Sequence, residues 1–328
     1  MIPSIQDVLS VKPENFKALA LATFQHQYNT IPVYRNYVDA LGRVPGEVKE
    51  LRDIPFLPIS FFKSHEVKPE GKEERIFESS RTGGSMTSKR YVMNSAIYEA
   101  SFITAFRLFY GLPSEFCILA LLPNYLDQGN SSLVYMVNHL IQGSRNPPSG
   151  FYRENFEEVH SILAKNEENQ VPTLLLGVSY ALLNFAEKHP MPLKKTILME
   201  TGGMKGRHKE LTKSDLHKRL KKAFGQDQIH AEYGMTEMYS QAYSPGSGRY
   251  FTPPWMHVMI RETKDPFSFE KRGKTGGLNV IDLANQDSVS FIETQDLARL
   301  YPAGDFEIMG RFDSAEVRGC NLMDPLNQ

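Results

Sequence analysis

Five separated segments carry residue types suited to holding a nucleotide. In Ala231-Glu232-Tyr233-Gly234-Met235-Thr236-Glu237, the Tyr233 ring can stack on a purine and Gly234 lets backbone come close. The Thr236 hydroxyl can donate to an α-phosphate, and Glu237 is a hard oxygen ligand suited to Mg²⁺. Downstream, Thr294-Gln295-Asp296-Leu297 offers a carboxylate that can accept from both vicinal hydroxyls of a ribose. An Asp after a strand also serves as an ordinary turn residue or cap. In Gly310-Arg311-Phe312-Asp313, Arg311 can reach ribose or phosphate as a fork donor. Upstream runs Ser79-Ser80-Arg81-Thr82-Gly83-Gly84-Ser85-Met86-Thr87-Ser88-Lys89. The small hydroxyl residues Ser79, Ser80 and Thr82, with Gly83 and Gly84, let N–H groups approach phosphate oxygens, and Lys89 adds charge. The spacing is not that of a Walker loop, and a flexible surface loop is the plain alternative. Gly202-Gly203 lies between a strand and a helix, where a glycine pair admits a flat ring or simply makes a tight turn.

These segments need a scaffold, and the hydrophobic pattern supplies one. Helices are expected over residues 14–28 and 33–41, then a proline-broken crossing. Short apolar strands over 116–122, 173–178, 196–199 and 229–232 alternate with helices over 95–110, 131–141, 180–188 and 209–224. That alternation implies an α/β protein with parallel sheets covered on both faces. After Ser244 the chain becomes Pro- and Gly-rich. Short strands are expected there over 256–261, 277–283, 289–293 and 306–309. The division read from this is a core over 1–244, itself of two subdomains, a β-rich subdomain over 245–313 and a tail over 314–328.

Composition narrows the function. A net charge of −1 gives no broad basic surface for nucleic acid. No apolar run approaches the ~20 residues that span a bilayer, and the N-terminus lacks a secretory pattern. The two cysteines, Cys117 and Cys320, make no disulfide framework, so a reducing cytoplasm is the expected home. Cys117 sits in an apolar strand and reads as core. The basic run Lys218-Arg219-Leu220-Lys221-Lys222 reads as a solvated helix face.

Taken in their order, the segments resemble the nucleotide site of the adenylate-forming enzymes, the superfamily of acyl-CoA synthetases and firefly luciferase. The chain departs from that pattern at Arg81 and Gln295, where the family has Gly, and at Gly83, where it has Thr. Lys89 also lies later than the usual lysine. The resemblance implies the family's large-domain fold, with two mainly parallel sheets, flanking helices and a small β-rich subdomain. It implies ATP and Mg²⁺ as cofactors and a fatty or other carboxylic acid as the small-molecule substrate. It puts Gly202 and Gly203 beside adenine, Tyr233 on it, and Asp296 on the ribose.

The full-length family continues into a lid domain beyond Asp313. The layout here is similar to the acyl-protein synthetases of bacterial luminescence, which lack that lid. In them a cysteine near the C-terminus accepts the acyl group and passes it to an acyl reductase partner, and Cys320 matches that position. The chemistry is coherent. A carboxylate resists nucleophiles until joined to AMP; a thiolate then attacks the acyl carbonyl. Arg318 would favour the thiolate form. A tail cysteine without reactivity is the alternative for Cys320. An acyl- or aryl-CoA ligase similar to phenylacetate-CoA ligase, and a non-catalytic acyl- or nucleotide-binding scaffold, are the alternatives for the whole chain.

Overall fold

The computed structural model describes residues 4–79, 86–123, 129–202 and 212–312. The chain opens with helices Ile5–Leu9 (α1), Pro13–Thr30 (α2) and Pro32–Ala40 (α3). Proline sits at the first position of α2 and α3, where its missing N–H has no partner to lose. A two-residue strand Leu57–Pro58 (β1) and a short helix Phe61–Ser64 (α4) cross to an antiparallel hairpin, Arg75–Glu78 (β2) with Lys89–Val92 (β3).

The central layer then builds up by alternation. Its elements are Ser95–Tyr110 (α5), Cys117–Leu121 (β4), Ser132–Ser144 (α6), Gly150–Phe151 (β5), Phe156–Glu168 (α7), Thr173–Val178 (β6), Ser179–Lys188 (α8), Thr196–Thr201 (β7), Lys213–Phe224 (α9), His230–Tyr233 (β8) and Ala242–Ser244 (β9). The strands form a six-stranded sheet in the order β5-β4-β6-β7-β8-β9. All its pairings are parallel except β8 with β9. Every residue of β4 and β6 is buried. That explains their unbroken apolar runs, since a strand covered on both faces has no solvent side to alternate toward. Cys117 is fully buried in β4, as its surroundings foretold. On α9, Leu216, Leu220 and Phe224 face inward while Lys218, Arg219 and Lys222 are exposed.

Met256–Arg261 (β10), Thr275–Asp282 (β11), Phe291–Leu300 (β12) and Phe306–Arg311 (β13) make the second large sheet. The α/β class is as expected, but only one large sheet among the described residues is mainly parallel. In the second sheet β1 alone runs parallel to its neighbour β12; the other ladders are antiparallel. The short returns from β11 to β12 and from β12 to β13 suit only that direction, since parallel neighbours need a longer crossover. β12 also runs seven residues past the expected end at 293. Its polar Thr294-Gln295-Asp296 reads as a turn in sequence, yet pairing with β11 and β13 keeps it extended.

The second sheet is bound to the N-terminal helices. Gln27 on α2 donates to Asn285 O at 3.0 Å and Ser288 O at 2.6 Å, and accepts from Ser290 N at 2.9 Å. Phe24, Tyr34 and Phe291 pack as a buried aromatic cluster across the same junction. Bridges Tyr243 to Phe251 and Tyr250 to Phe306 join the two sheets beside the end of β8.

Candidate functional site

β8 ends at Tyr233, where the parallel strands of the central sheet expose their carboxyl ends, the usual ligand edge of an α/β sheet. The Tyr233 hydroxyl donates to Asp296 Oδ2 at 2.7 Å. Asp296 faces Arg311 in the β12–β13 ladder, and Arg311 Nε lies 3.3 Å from Asp296 Oδ1. The Arg311 side chain is 59 % exposed and that of Asp296 14 %, so the guanidinium stands on the solvent side of the pair. Burial, and then the neighbouring Asp296 carboxylate, push the Tyr233 hydroxyl well above its ordinary pKa. It therefore stays protonated and donates. The Tyr233 ring meets Tyr250 and Phe306 edge-on, each at 5.8 Å between centroids.

Past Tyr233 the chain turns sharply. A Cβ on Gly234 would meet Glu232 Oε1, so any other residue there would have to displace that side chain. Thr236 is half-buried and Glu237 buried. The Glu237 carbonyl accepts from Arg90 Nη1 at 2.7 Å and from Asn285 Nδ2 at 3.0 Å. Two residues on, the Tyr239 and Ser240 N–H groups donate to Asp282 Oδ2 at 2.8 and 2.9 Å, and Ser240 Oγ donates to Asp282 Oδ1 at 2.6 Å. The loop that offers Thr236 and Glu237 is thus pinned from behind by the second sheet and by β3. Burial raises the Asp282 carboxyl even against these donors.

Arg90 follows Lys89 directly, so the β2–β3 hairpin reaches the Glu237 loop through one side chain. At the hairpin's open end, Ser79 N donates to Ser88 O at 3.0 Å and Ser88 N to Ser79 Oγ at 2.9 Å. Lys89 is exposed. Ser80, Thr82, Gly83 and Gly84 lie outside the described residues, as do Gly203, Asp313 and Cys320.

Gly202 has φ +69°, a conformation that favours glycine. Its carbonyl accepts from Ser179 Oγ at 3.0 Å. Beneath it lies a buried charge cluster. Glu200 sits 2.7 Å from Lys213 Nζ and 3.4 Å from His217 Nε2. Burial pushes the Glu200 carboxyl up, but Lys213 and His217 outweigh it and hold the group below its usual range. Lys213 also contacts the Tyr250 hydroxyl, with its Nζ 4.6 Å from that ring's centroid. Glu232 accepts from Thr201 Oγ1; burial first, and Glu200 as a further cause, raise its carboxyl to about 7 against the pull of Thr201 and Lys213.

Sequence reasoning missed Arg90, Lys213, Asp282 and Asn285. Arg90, Lys213 and Asn285 sit in polar stretches that read as surface, Asp282 is a lone carboxylate in an apolar strand, and all four are held by contacts with other segments. His139, by contrast, packs as an ordinary helix residue, its Nδ1 2.9 Å from Tyr135 O and its ring against Phe102.

Among the described residues, no group of three or more His, Cys, Asp or Glu side chains is placed to hold a metal. A site built on Glu237 would therefore suit Mg²⁺ only in its usual manner, one carboxylate completed by water and nucleotide phosphates. A shallow cleft lined by Arg43, Phe56, Phe267 and Glu293 includes none of the residues above. No helix among the described residues is long and apolar enough to cross a membrane.

No protein-family model and no curated protein matches the chain. Solved structures do. ATP-bound MatB from Rhodopseudomonas palustris is similar with a TM-score of 0.55 at 15 % identity, over 74 % of this chain and 49 % of that one. The chain thus spans about half the length of MatB. A 2-hydroxyisobutyryl-CoA ligase in the postadenylation state with 2-HIB-AMP is similar with a TM-score of 0.62 at 12 % identity, over 94 % of this chain and 70 % of that one. The same ligase with 2-HIB-AMP and CoA in the thioesterification state gives 0.61 at 13 % identity, over 94 % and 71 %. The fold is that of the adenylate-forming enzymes.

Proposed function

We propose that this chain is an ATP-dependent ligase that adenylates a carboxylic acid and passes the acyl group to a thiol. The observation that carries the reading is the meeting of Tyr233 with Asp296, beside a loop whose Glu237 is bonded to the strand following the Ser79–Lys89 segment. A purine on Tyr233 and a ribose on Asp296 would direct the nucleotide's phosphates toward Thr236, Glu237 and that segment. Gly202 and Gly203 would admit the ring, and Arg311 would reach ribose or phosphate from the solvent side.

In the first step a carboxylate oxygen attacks the α-phosphorus, and the bond to pyrophosphate breaks. Thr236 would donate to the α-phosphate as negative charge shifts across it. Glu237 would hold Mg²⁺, which supplies charge neutralisation. Lys89 would add positive charge at the phosphate end. These residues contribute mainly position and electrostatics; acid–base chemistry at carbon is not required. In the second step a thiolate attacks the acyl carbonyl, AMP leaves and a thioester forms.

Cys320 is our proposed acceptor, on the strength of the sequence resemblance to acyl-protein synthetases, with an acyl reductase as the onward partner. A second reading, direct transfer to coenzyme A, is favoured by the likeness to a ligase solved with CoA in its thioesterification state. Intact-mass measurement after incubation with ATP, Mg²⁺ and a panel of acids separates the two. An acyl mass on the protein without CoA supports the Cys320 route. Acyl-CoA with an unmodified protein supports the second.

A further inference from the structure

Asp296 is held in place by what lies behind it. Arg261, the last residue of β10, is only 6 % exposed. Its Nη1 donates to Leu278 O at 3.1 Å and Asn279 Oδ1 at 2.9 Å, and its Nη2 donates to Thr294 O at 2.7 Å. Nη2 also lies 3.5 Å from Glu293 Oε1, and the Phe312 ring centroid is 5.3 Å from the guanidinium carbon. The side chain thus reaches from β10 across β11 to β12.

It can do so because β11 has no side chain in the way. A Cβ on Gly277 would collide with the Arg261 guanidinium, and one on Gly276 with the Arg261 carbonyl. The β11–β12 register shifts between Gly277 and Asn279, where the crossing occurs. Thr294, the residue gripped, is itself buried. Its Oγ1 donates to Leu278 O at 2.8 Å and accepts from Asp296 N at 3.1 Å. Arg261 and Thr294 together fix the backbone immediately before Asp296. Sinking a guanidinium carries a large desolvation cost. This one directs its donors to the carbonyls and carboxamide that set the strand's local path, rather than making a bidentate carboxylate pair.

Resting on the adenylation reading, we propose that Arg261 is a positioning residue that sets the Asp296 carboxylate against the two ribose hydroxyls. It thereby determines how strongly the site prefers a ribonucleotide to a deoxynucleotide.

The test compares full-length wild type, Arg261→Lys, Arg261→Gln, Thr294→Val and Asp296→Asn. KM and kcat for pyrophosphate exchange are measured with ATP and with 2′-deoxyATP, and binding of both is followed by calorimetry. Wild type should favour ATP by about tenfold, the order expected for one hydrogen bond to a carboxylate. Asp296→Asn should abolish that preference. Arg261→Gln should lose most of it through a higher KM for ATP, with KM for 2′-deoxyATP nearly unchanged and kcat affected less. Lysine, which cannot fork, should rescue only in part. A merely structural role would weaken both nucleotides alike. If Arg261→Gln does not fold, Thr294→Val must show the same loss of preference. A full wild-type ratio in the Arg261 and Thr294 variants, beside its loss in Asp296→Asn, overturns the proposal alone. A wild type that binds no ATP overturns the adenylation reading and this proposal with it.

Discussion

The Tyr233 hydroxyl and the Asp296 carboxylate are joined by a 2.7 Å hydrogen bond across sixty-three residues of chain. One residue closes the central sheet's ligand edge and the other stands mid-strand in the second sheet, so this bond fixes the two sheets' relation at the site. Tyr233→Phe keeps the ring and removes the bond. A hydrogen bond to a carboxylate contributes about 1.5–3 kcal/mol. Asp296 retains Arg311 and some solvent, so a loss of roughly 1–2 kcal/mol is expected in denaturant unfolding. KM for ATP should rise a few-fold while kcat changes less. Unchanged stability with unchanged KM would show that the bond organises nothing.

Glu232 gives the fold a pH signature. Its carboxyl stands near pH 7 in the folded chain, above its ordinary value of 4.5. The folded state therefore holds a proton that the unfolded state has released over the interval between those values. There the unfolded state binds fewer protons, so this group's contribution to stability falls as pH rises, then levels off above about 7. Glu232→Gln keeps an acceptor for Thr201 and does not ionise. Relative to wild type it should gain stability progressively from pH 5 to pH 7, by something on the order of 2 kcal/mol in all, and then hold level. A wild-type-minus-variant difference that is flat with pH would contradict the assignment.

On the proposed Cys320 route, Cys320→Ser separates the two half-reactions. Adenylation does not use the thiol, so pyrophosphate exchange should continue at close to the wild-type rate. Hydroxylamine-sensitive acyl label on the protein should disappear. Label that persists on the serine variant would remove Cys320 from the mechanism.

Much of the scaffold was legible because burial on two faces leaves an unmistakable mark. The apolar runs at 116–122 and 173–178 read as interior strands, and Cys117–Leu121 and Thr173–Val178 are buried strands. Tyr233 and Asp296 could be singled out because their segments, taken in order, resemble those of a known family's nucleotide site, and the structure joins them by a hydrogen bond. Other features resisted reading. The extension of β12 through Asp296 depends on partners supplied by β11 and β13, and no local propensity announces it. Arg90 and Arg261 look like surface arginines until distant segments close over them; that Gly276 and Gly277 make room for Arg261 to cross β11 shows only in the structure. Sheet direction in the second half was also hidden, because it is set by how the chain returns rather than by what each strand contains.

On the proposed function, one nucleotide site spanning Tyr233, Asp296 and Glu237 activates an acid. ATP–pyrophosphate exchange, measured against a panel of carboxylic acids in wild type and Glu237→Gln, tests it most directly. Wild type should exchange label only with Mg²⁺ and a suitable acid. Glu237→Gln should fall by roughly a hundredfold or more while still folding, because the loop is held through the Glu237 carbonyl by Arg90 and Asn285 and through the Tyr239 and Ser240 N–H groups by Asp282. No exchange by wild type with any acid, or undiminished Mg²⁺-dependent exchange in the variant, would contradict the claim.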